Sequence, residues 1–413
     1  MATEADILLP VIGKLPPRWR AVEFGAVLDG GTRNGIYKTK EFHGRGAKMV
    51  NMGELFGHPR LRNVEMRRVE LNENELERFR IGAGDLLFAR RSLVAEGAGK
   101  CCIVLEANET TTFESSIIRA RPNPREADSL FLFYLFKSPF GTHVLGSILR
   151  HVAVAGITGS DLVKLRIPIP PLAEQRTIAQ ILNALDEKIE LNRRMNETLE
   201  ALAQTIFKSW FVDATATKLP KGWRAGTLGE VAENPRRSIQ PDEIKSSMSY
   251  IGLEHLPRRS IALSDWESDT KLGSNKLEFK RGEILFGKLR PYFHKVGVAP
   301  LDGVCSTDIL VVRPKMPEWF GFVLGHVSSV ELVNHTDAAS TGTKMPRTNW
   351  NDLARFEVAL PPESLAAEFT ATIRPMIDRI IANIHESRTL AELRDALLPK
   401  LLSGEFRVKE AYA

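Results

Sequence analysis

Residues 172–213 read LAEQRTIAQILNALDEKIELNRRMNETLEALAQTIFKSWFVD, with neither glycine nor proline among them. Apolar residues recur at Ile178, Leu182, Leu185 and Ile189, and again at Leu199, Ala203, Ile206 and Trp210. The spacing alternates four and three, a heptad-like stripe that predicts one long amphipathic helix. Asn192 and Asn196 fill the seam positions between Ile189 and Leu199. They are either a tolerated polar pair near an exposed stretch or the residues that set the register of a paired helix. A helix of about 38 residues is about 57 Å long, too long to lie on one small domain, and its stripe stays wet without a partner. The cations Arg176, Lys188, Arg193, Arg194 and Lys208 face six acids, Glu174, Asp186, Glu187, Glu190, Glu197 and Glu200. The helix is therefore no nucleic-acid rod; its outer face meets solvent or protein.

The partner is in the same chain. Ile373, Ile377, Ile380, Ile384, Leu390, Leu393, Leu397 and Leu401 repeat the pattern. Pro375 is expected to kink that helix or mark its first turn, leaving Phe369 on an earlier piece, and Gly404 to cap its end. The repeat extends outward from the helices. Trp19-Arg20, Gly25 and Val27 match Trp223-Arg224, Gly229 and Val231 (223 − 19 = 204). Gly84 to Phe88 matches Gly282 to Phe286 (282 − 84 = 198), and Pro170-Pro171 matches Pro361-Pro362 (361 − 170 = 191). The falling offset is that of a colinear second copy with short deletions. Before its helix each copy shows short apolar, β-branched runs between glycines, such as Lys100 to Leu105, Ser116 to Arg121, Ile284 to Phe286 and Asp308 to Val312, with a few helices such as Leu130 to Phe136. These predict a mixed α/β unit around a curved antiparallel sheet. A chain that leaves one unit along a helix, builds a second and returns along another gives an antiparallel helix pair.

The 413 residues are 43% hydrophobic and 26% charged, with a net charge of +5, which excludes wholesale disorder and a disulfide-stapled miniprotein. The three cysteines, Cys101, Cys102 and Cys305, include no C-x-x-C, so no zinc site is expected and a reducing cytosol is. The apolar run Ile7 to Ile12 is short and interrupted by Pro10, unlike a signal peptide, and no run of 18 apolar residues predicts a membrane span.

Charge is uneven locally. From Arg33 to Lys48 five cations face Glu41, and from Lys280 to Lys295 five face Glu283, a net +4 in each window. Arg90-Arg91 follows one apolar strand, and Lys288 and Arg290 follow its counterpart. Ser340 to Arg347 adds hydroxyls beside Lys344 and Arg347; the corresponding stretch of the first copy, His151 to Thr158, is less basic. Cations and hydroxyls on such loops suit phosphates, and Arg or Lys can read guanine edges. Arg33, Lys48, Arg90, Arg91, Lys288, Arg290, Lys344 and Arg347 are the candidate DNA contacts. Catalytic motifs fail: Gly97-Ala98-Gly99-Lys100 lacks the earlier Gly and the following Ser or Thr of a P-loop, and Pro241-Asp242-Glu243-Ile244-Lys245 holds contiguous carboxylates where a nuclease needs them on separate strands. No catalytic, cofactor-binding or metal-binding residue is expected.

Pro168 to Asp213 resembles the central region of specificity (S) subunits of type I restriction–modification systems. Leu219-Pro-Lys-Gly-Trp223, Gly282 to Arg290 with Tyr292, Cys305 to Ile309, and Leu390 to Glu405 are similar to other parts of that family; Pro361-Pro362-Glu363-Ser364 departs from it by lacking the Leu-Ala-Glu-Gln of residues 172–175. The resemblance implies an α+β chain with two target-recognition domains (1–171 and 214–362), a central long helix (172–213) and a C-terminal long helix with tail (363–413). The helices would form an antiparallel coiled coil with a pseudo-twofold relation. It further implies a cytoplasmic, non-catalytic protein that binds double-stranded DNA, two methyltransferase (M) subunits and restriction (R) subunits. S-adenosylmethionine would be bound by M, and ATP with magnesium by R. The competing expectation is a helical-hairpin scaffold with two protein-binding heads and no DNA role.

Overall fold

The computed structural model of the chain describes residues 8–9, 13–92, 97–150, 155–268, 272–340, 342 and 345–407. The chain divides into two compact units, one of residues 1–186 with 392–413, the other of residues 187–391. Each unit has its own sheets and its own core, and each takes part of both long helices.

In the first unit the strand Leu86–Ala89 is buried at every position. It lies in a five-stranded sheet with neighbours Cys101–Val104 and Ile117–Pro122, Leu28–Asn34 outside the latter and Arg60–Leu61 outside the former. A three-stranded sheet places His43–Val50 between Thr111–Phe113 and Arg68–Val69. The helix Ser129–Lys137 buries Phe131 through Phe136 and is capped by Asp128, whose carboxylate accepts the Phe131 N–H at 2.9 Å. Leu398, Leu401 and Leu402 of the second long helix join this core with Ile178 and Leu182 of the first.

The second unit repeats the frame. The strand Ile284–Gly287, again wholly buried, runs between Ile309–Pro314 and Val296–Val298. The helices Phe320–Val327 and Val330–Ala338 stand 191 residues after Ser129–Lys137 and Pro139–Ser147 (320 − 129 and 330 − 139). The turn entering each buried strand is also the same. Gly84 and Gly282 adopt φ of 89° and 86°, a conformation that favours glycine. The next residue, Asp85 or Glu283, accepts a backbone N–H three residues back and pairs with an arginine, Arg121 at 2.7 Å or Arg237. The expected antiparallel sheet needs correction: each unit contains a parallel pair, Thr111–Phe113 with Lys48 to Val50, and Ser249–Ile251 with Gly303–Cys305.

The first long helix spans Leu172–Phe207 and ends in a wider π turn, Lys208–Val212. The second spans Glu363–Ser403 without a break, so Phe369 and Ile373 share one helix and Pro375 does not end it. Gly404, at φ 73°, takes the left-handed conformation of a C-terminal cap. Within the second unit the two helices run antiparallel: Asn383 Nδ2 donates to Asn196 Oδ1 at 2.8 Å, and Asn192 Nδ2 donates to Glu386 Oε2 at 2.9 Å and Ser387 Oγ at 3.2 Å. Asn192 is 1% exposed and Asn383 fully buried, so these amides form a polar layer in the seam and favour one register there. On the outer face Glu190 accepts from Arg193 and Arg194, whose guanidiniums hold its carboxyl down to about 2. No described helix is long and apolar enough to cross a membrane.

Candidate nucleic-acid interface

The buried central strand of each unit sets up its basic loop. In the second unit Phe286 and Gly287 pair with Leu310 and Ile309, and the Lys288 N–H donates to Asp308 O at 3.0 Å. The chain past the strand then pairs with a segment nearly sixty residues on in sequence. Thr348 N–H donates to Lys288 O at 3.0 Å, Arg290 N–H donates to Pro346 O at 2.8 Å, and Leu289 bridges Arg347. Lys288, Arg290 and Arg347 are thereby brought onto one short ribbon. Arg347 is 53% exposed, with its Nε 3.4 Å from Asp308. Lys344 lies outside the described residues.

The first unit builds the same ribbon. Arg90 N–H donates to Ser116 O at 2.8 Å, Ile157 N–H donates to Arg90 O at 3.0 Å, and Arg91–Ser92 pairs with Ala155–Gly156. Ile157 and Thr348 fill the same place 191 residues apart (348 − 157). Arg91 is exposed, while Arg90 is half-buried and donates from Nη1 to Ser115 O at 3.2 Å. The ribbon also recruits Arg150, which bridges Gly156 and whose guanidinium reaches Asp161 at 2.6 Å. Sequence reading stopped at His151 and missed it, although its position one residue before the loop was the available signal.

Two other candidates sit elsewhere. Arg33 lies on the strand Leu28–Asn34 directly across from Arg119, a like-charge pairing that an anion would relieve. Lys48 is a correction: it is 9% exposed, its ammonium 2.9 Å from Glu109 and 3.5 Å from Val64 O, inside the three-stranded sheet. A lysine so placed has its charge satisfied by the fold and is withdrawn as a DNA contact.

One cluster invites a metal reading. Glu254, His255 and Glu267 bring their donor atoms within 4.8 Å of one another. The His255 ring, however, accepts the Gly252 N–H at Nδ1 at 2.9 Å, so in the neutral ring Nε2 carries the proton, and it faces Glu267 at 3.6 Å. That ring has no lone pair left for a cation. The buried thiols of Cys102 and Cys305 are pushed up to about 12 by burial, far from the thiolate that metal binding or nucleophilic attack needs.

Fold and site together define a duplicated mixed α/β protein in which each copy presents a basic ribbon at the end of its buried strand. Residues 19–201 match the model of the type I restriction modification DNA specificity domain. The chain is 25% identical to the type I restriction enzyme MjaIX specificity subunit of Methanocaldococcus jannaschii, over 97% of this chain and 96% of that one. It is also 25% identical to the HindI specificity subunit of Haemophilus influenzae, over 79% and 87%. The fold is that of the type I restriction–modification S subunit of M. genitalium, with a TM-score of 0.60 at 15% identity over 93% and 96% of the two chains. Over nearly its whole length the chain is therefore similar to specificity subunits of type I restriction–modification systems.

Proposed function

We propose that this chain is the DNA-reading subunit of a type I restriction–modification complex, each of its two recognition domains reading one half of a bipartite duplex site. The observation that carries the reading is the ribbon built twice: residues 288–290 beside 346–348, and 90–92 beside 155–157, on one frame with different side chains. A shared frame with divergent basic loops is what two readers of different half-sites require. The domains would be residues 1–171 and 214–362. The long helices, 172–213 and 363–413, would form an antiparallel coiled coil that sets the spacer and docks two methyltransferase subunits. In this reading S-adenosylmethionine is held by those subunits, and ATP with magnesium by restriction subunits. The chain itself, a cytoplasmic protein, would contribute binding and assembly and no catalytic residue.

The test is DNA binding by the chain assembled with its methyltransferase subunits. The logarithm of affinity should fall steeply and linearly with the logarithm of salt concentration, and Lys288→Ala or Arg347→Ala at a phosphate should flatten the slope by about 0.9 each. Binding that ignores salt and sequence would return the chain to the scaffold reading. Lengthening both helices by the same whole number of turns should widen the unspecified gap and leave both half-sites as they were; altered half-sites would sink the ruler.

A further inference from the structure

Beyond the ribbon, the second unit holds a second feature on the same loop. Pro291–Phe293 is a single 3-10 turn between two residues in the left-handed region, Arg290 at φ 51° and His294 at φ 50°. Among the described residues the non-glycine positions with positive φ are Arg18, Arg236, Arg259, Arg290 and His294, so two of them frame this turn. Arg259 is tied to it as well, its N–H donating to His294 O at 2.9 Å. Such strain persists only where surrounding structure over-determines it, and it concentrates at functional positions.

The turn is fastened on three sides. Arg290 N–H donates to Pro346 O, Arg259 N–H to His294 O, and His294 Nε2 donates to Ser328 O at 2.9 Å; inside the turn His294 N–H donates to Pro291 O at 2.8 Å. Pro291 and His294 are buried, but Tyr292 is 48% exposed. Its ring packs edge-on against Phe293 with centroids 4.7 Å apart, and Phe293 is in turn covered by the Arg258 guanidinium 4.1 Å from its centroid. A lone exposed aromatic is ordinary. A rigidly held one, on a strained turn two residues past Arg290 of the basic ribbon and packed on a Phe293 ring that Arg258 and Arg290 cover at 4.1 and 6.0 Å, is not. The one polar atom of its side chain is a hydroxyl, so the exposed ring offers an apolar surface on the loop that carries Lys288 and Arg290.

We propose that Tyr292 makes an apolar contact with a base of the half-site read by the second unit, the surrounding cations holding the phosphates that bring the base to it. The inference rests on the DNA-reading function proposed above. A ring fixed before binding loses little freedom on contact, and ring contacts with base edges carry sequence information that phosphate contacts lack. The second unit thus reads with a preorganised aromatic in addition to cations.

The experiment uses the chain assembled with its methyltransferase subunits and a duplex carrying the bipartite motif that the complex methylates. Tyr292→Ala should bind that duplex about tenfold more weakly, relax the choice at one base pair of one half-site only, and keep the wild-type salt slope, because no phosphate contact is lost. Tyr292→Phe should behave as wild type, since the ring carries the contact; a Phe variant as poor as the Ala variant would overturn the apolar contact. Tyr292→Ala with unchanged affinity and preference would overturn the proposal, and weaker binding with unchanged preference would overturn the base contact in favour of the sugar–phosphate backbone. Unfolding midpoints equal to wild type confirm that the variants are folded. If the wild-type complex itself showed no sequence-specific, salt-dependent binding, the DNA-reading function would fall; normal wild-type binding with an indifferent Ala variant removes Tyr292 alone.

Discussion

The two units join their long helices to their α/β bodies at equivalent places with opposite chemistry. In the first unit the Tyr134 hydroxyl donates to Asp186 Oδ2 at 2.7 Å, and Arg394 donates to Asp186 Oδ1 at 2.6 Å. The Arg60 Nε stands 3.9 Å from the same carboxylate. Burial first, and the adjacent carboxylate second, raise the Tyr134 phenol well above its ordinary value, so it stays a donor. The positions 191 residues away (325 − 134, 377 − 186, 394 − 203) hold Gly325, Ile377 and Ala203 in the second unit. There Phe207 occupies the space above Gly325, beside a pocket of about 310 Å3, partly open to solvent, whose lining joins Ala203, Phe207 and Gly325 to Glu200, Lys208 and Arg259. One backbone frame therefore tolerates either a charged network or an apolar contact beside a pocket. What it specifies is the path of the chain, and the side chains at the junction are free to diverge.

The largest effect is expected where charge is buried. Asp186→Ala leaves Arg394, Arg60 and the Tyr134 hydroxyl without their common acceptor and should destabilise the first unit by about 3–5 kcal/mol. Replacing three of the four groups, Tyr134→Phe with Asp186→Ile and Arg394→Ala, should cost less than Asp186→Ala alone, because the cation of the set that stays, Arg60, still donates to Asn183 Oδ1 at 2.6 Å. Denaturant midpoints of the single and triple variants decide the matter. A triple variant less stable than the single would show that the two junctions are not interchangeable.

The second unit should resist the opposite change. A methyl at Gly325 would stand 2.1 Å from the Phe207 ring. That ring is hemmed by Phe211 at 5.4 Å and His326 at 5.0 Å between centroids, so it cannot simply step aside. Gly325→Ala should cost about 1–3 kcal/mol by overpacking, read as a lower melting temperature. An unchanged melting temperature would mean that Phe207 relaxes into the neighbouring pocket and that its space is available to the packing.

Much of this was legible in sequence because it rests on periodicity. A seam with no glycine or proline over residues 172–213 admits little but a long helix, and colinear matches whose offset falls from 204 to 191 fix the duplication. The basic loops were legible for a related reason: an apolar strand that ends in cations announces where they emerge. What sequence hid was every partnership made at long range. Lys48 reads as an exposed cation until Glu109 is folded against it. The parallel strand pairs join three-residue segments too short to show a pattern. Nothing in an arginine forecasts a left-handed conformation, so the turn that presents Tyr292 was invisible, and Pro375 reads as a kink or a first turn although tertiary packing of Phe369, Ile373 and Ile377 carries one helix through it.

The smallest expected effect tests the comparison at one residue. His326 occupies the place of Leu135 in the first unit (326 − 135 = 191), packed among Phe207, Phe322 and Phe356. Its Nε2 is buried without a hydrogen-bond partner, and burial pushes its ring down to about 3. His326→Leu should therefore stabilise the second unit by about 1 kcal/mol at pH 7 by removing an unsatisfied polar group. The pH dependence gives a sharper signature. The folded ring stays neutral down to about 3, whereas the unfolded ring takes a proton near its ordinary value of 6.5, so unfolding takes up a proton between those limits. Stability should then fall as pH drops below 6.5, by up to about 1.4 kcal/mol per pH unit from this residue, and level off near 3; above 6.5 the residue adds no pH dependence. The leucine variant should lack that component, so its advantage over wild type should widen steadily from pH 7 to pH 5. Denaturant midpoints that run parallel for the two proteins across that range would mean that the second unit keeps this imidazole wet, and that its junction is not the apolar counterpart of the first.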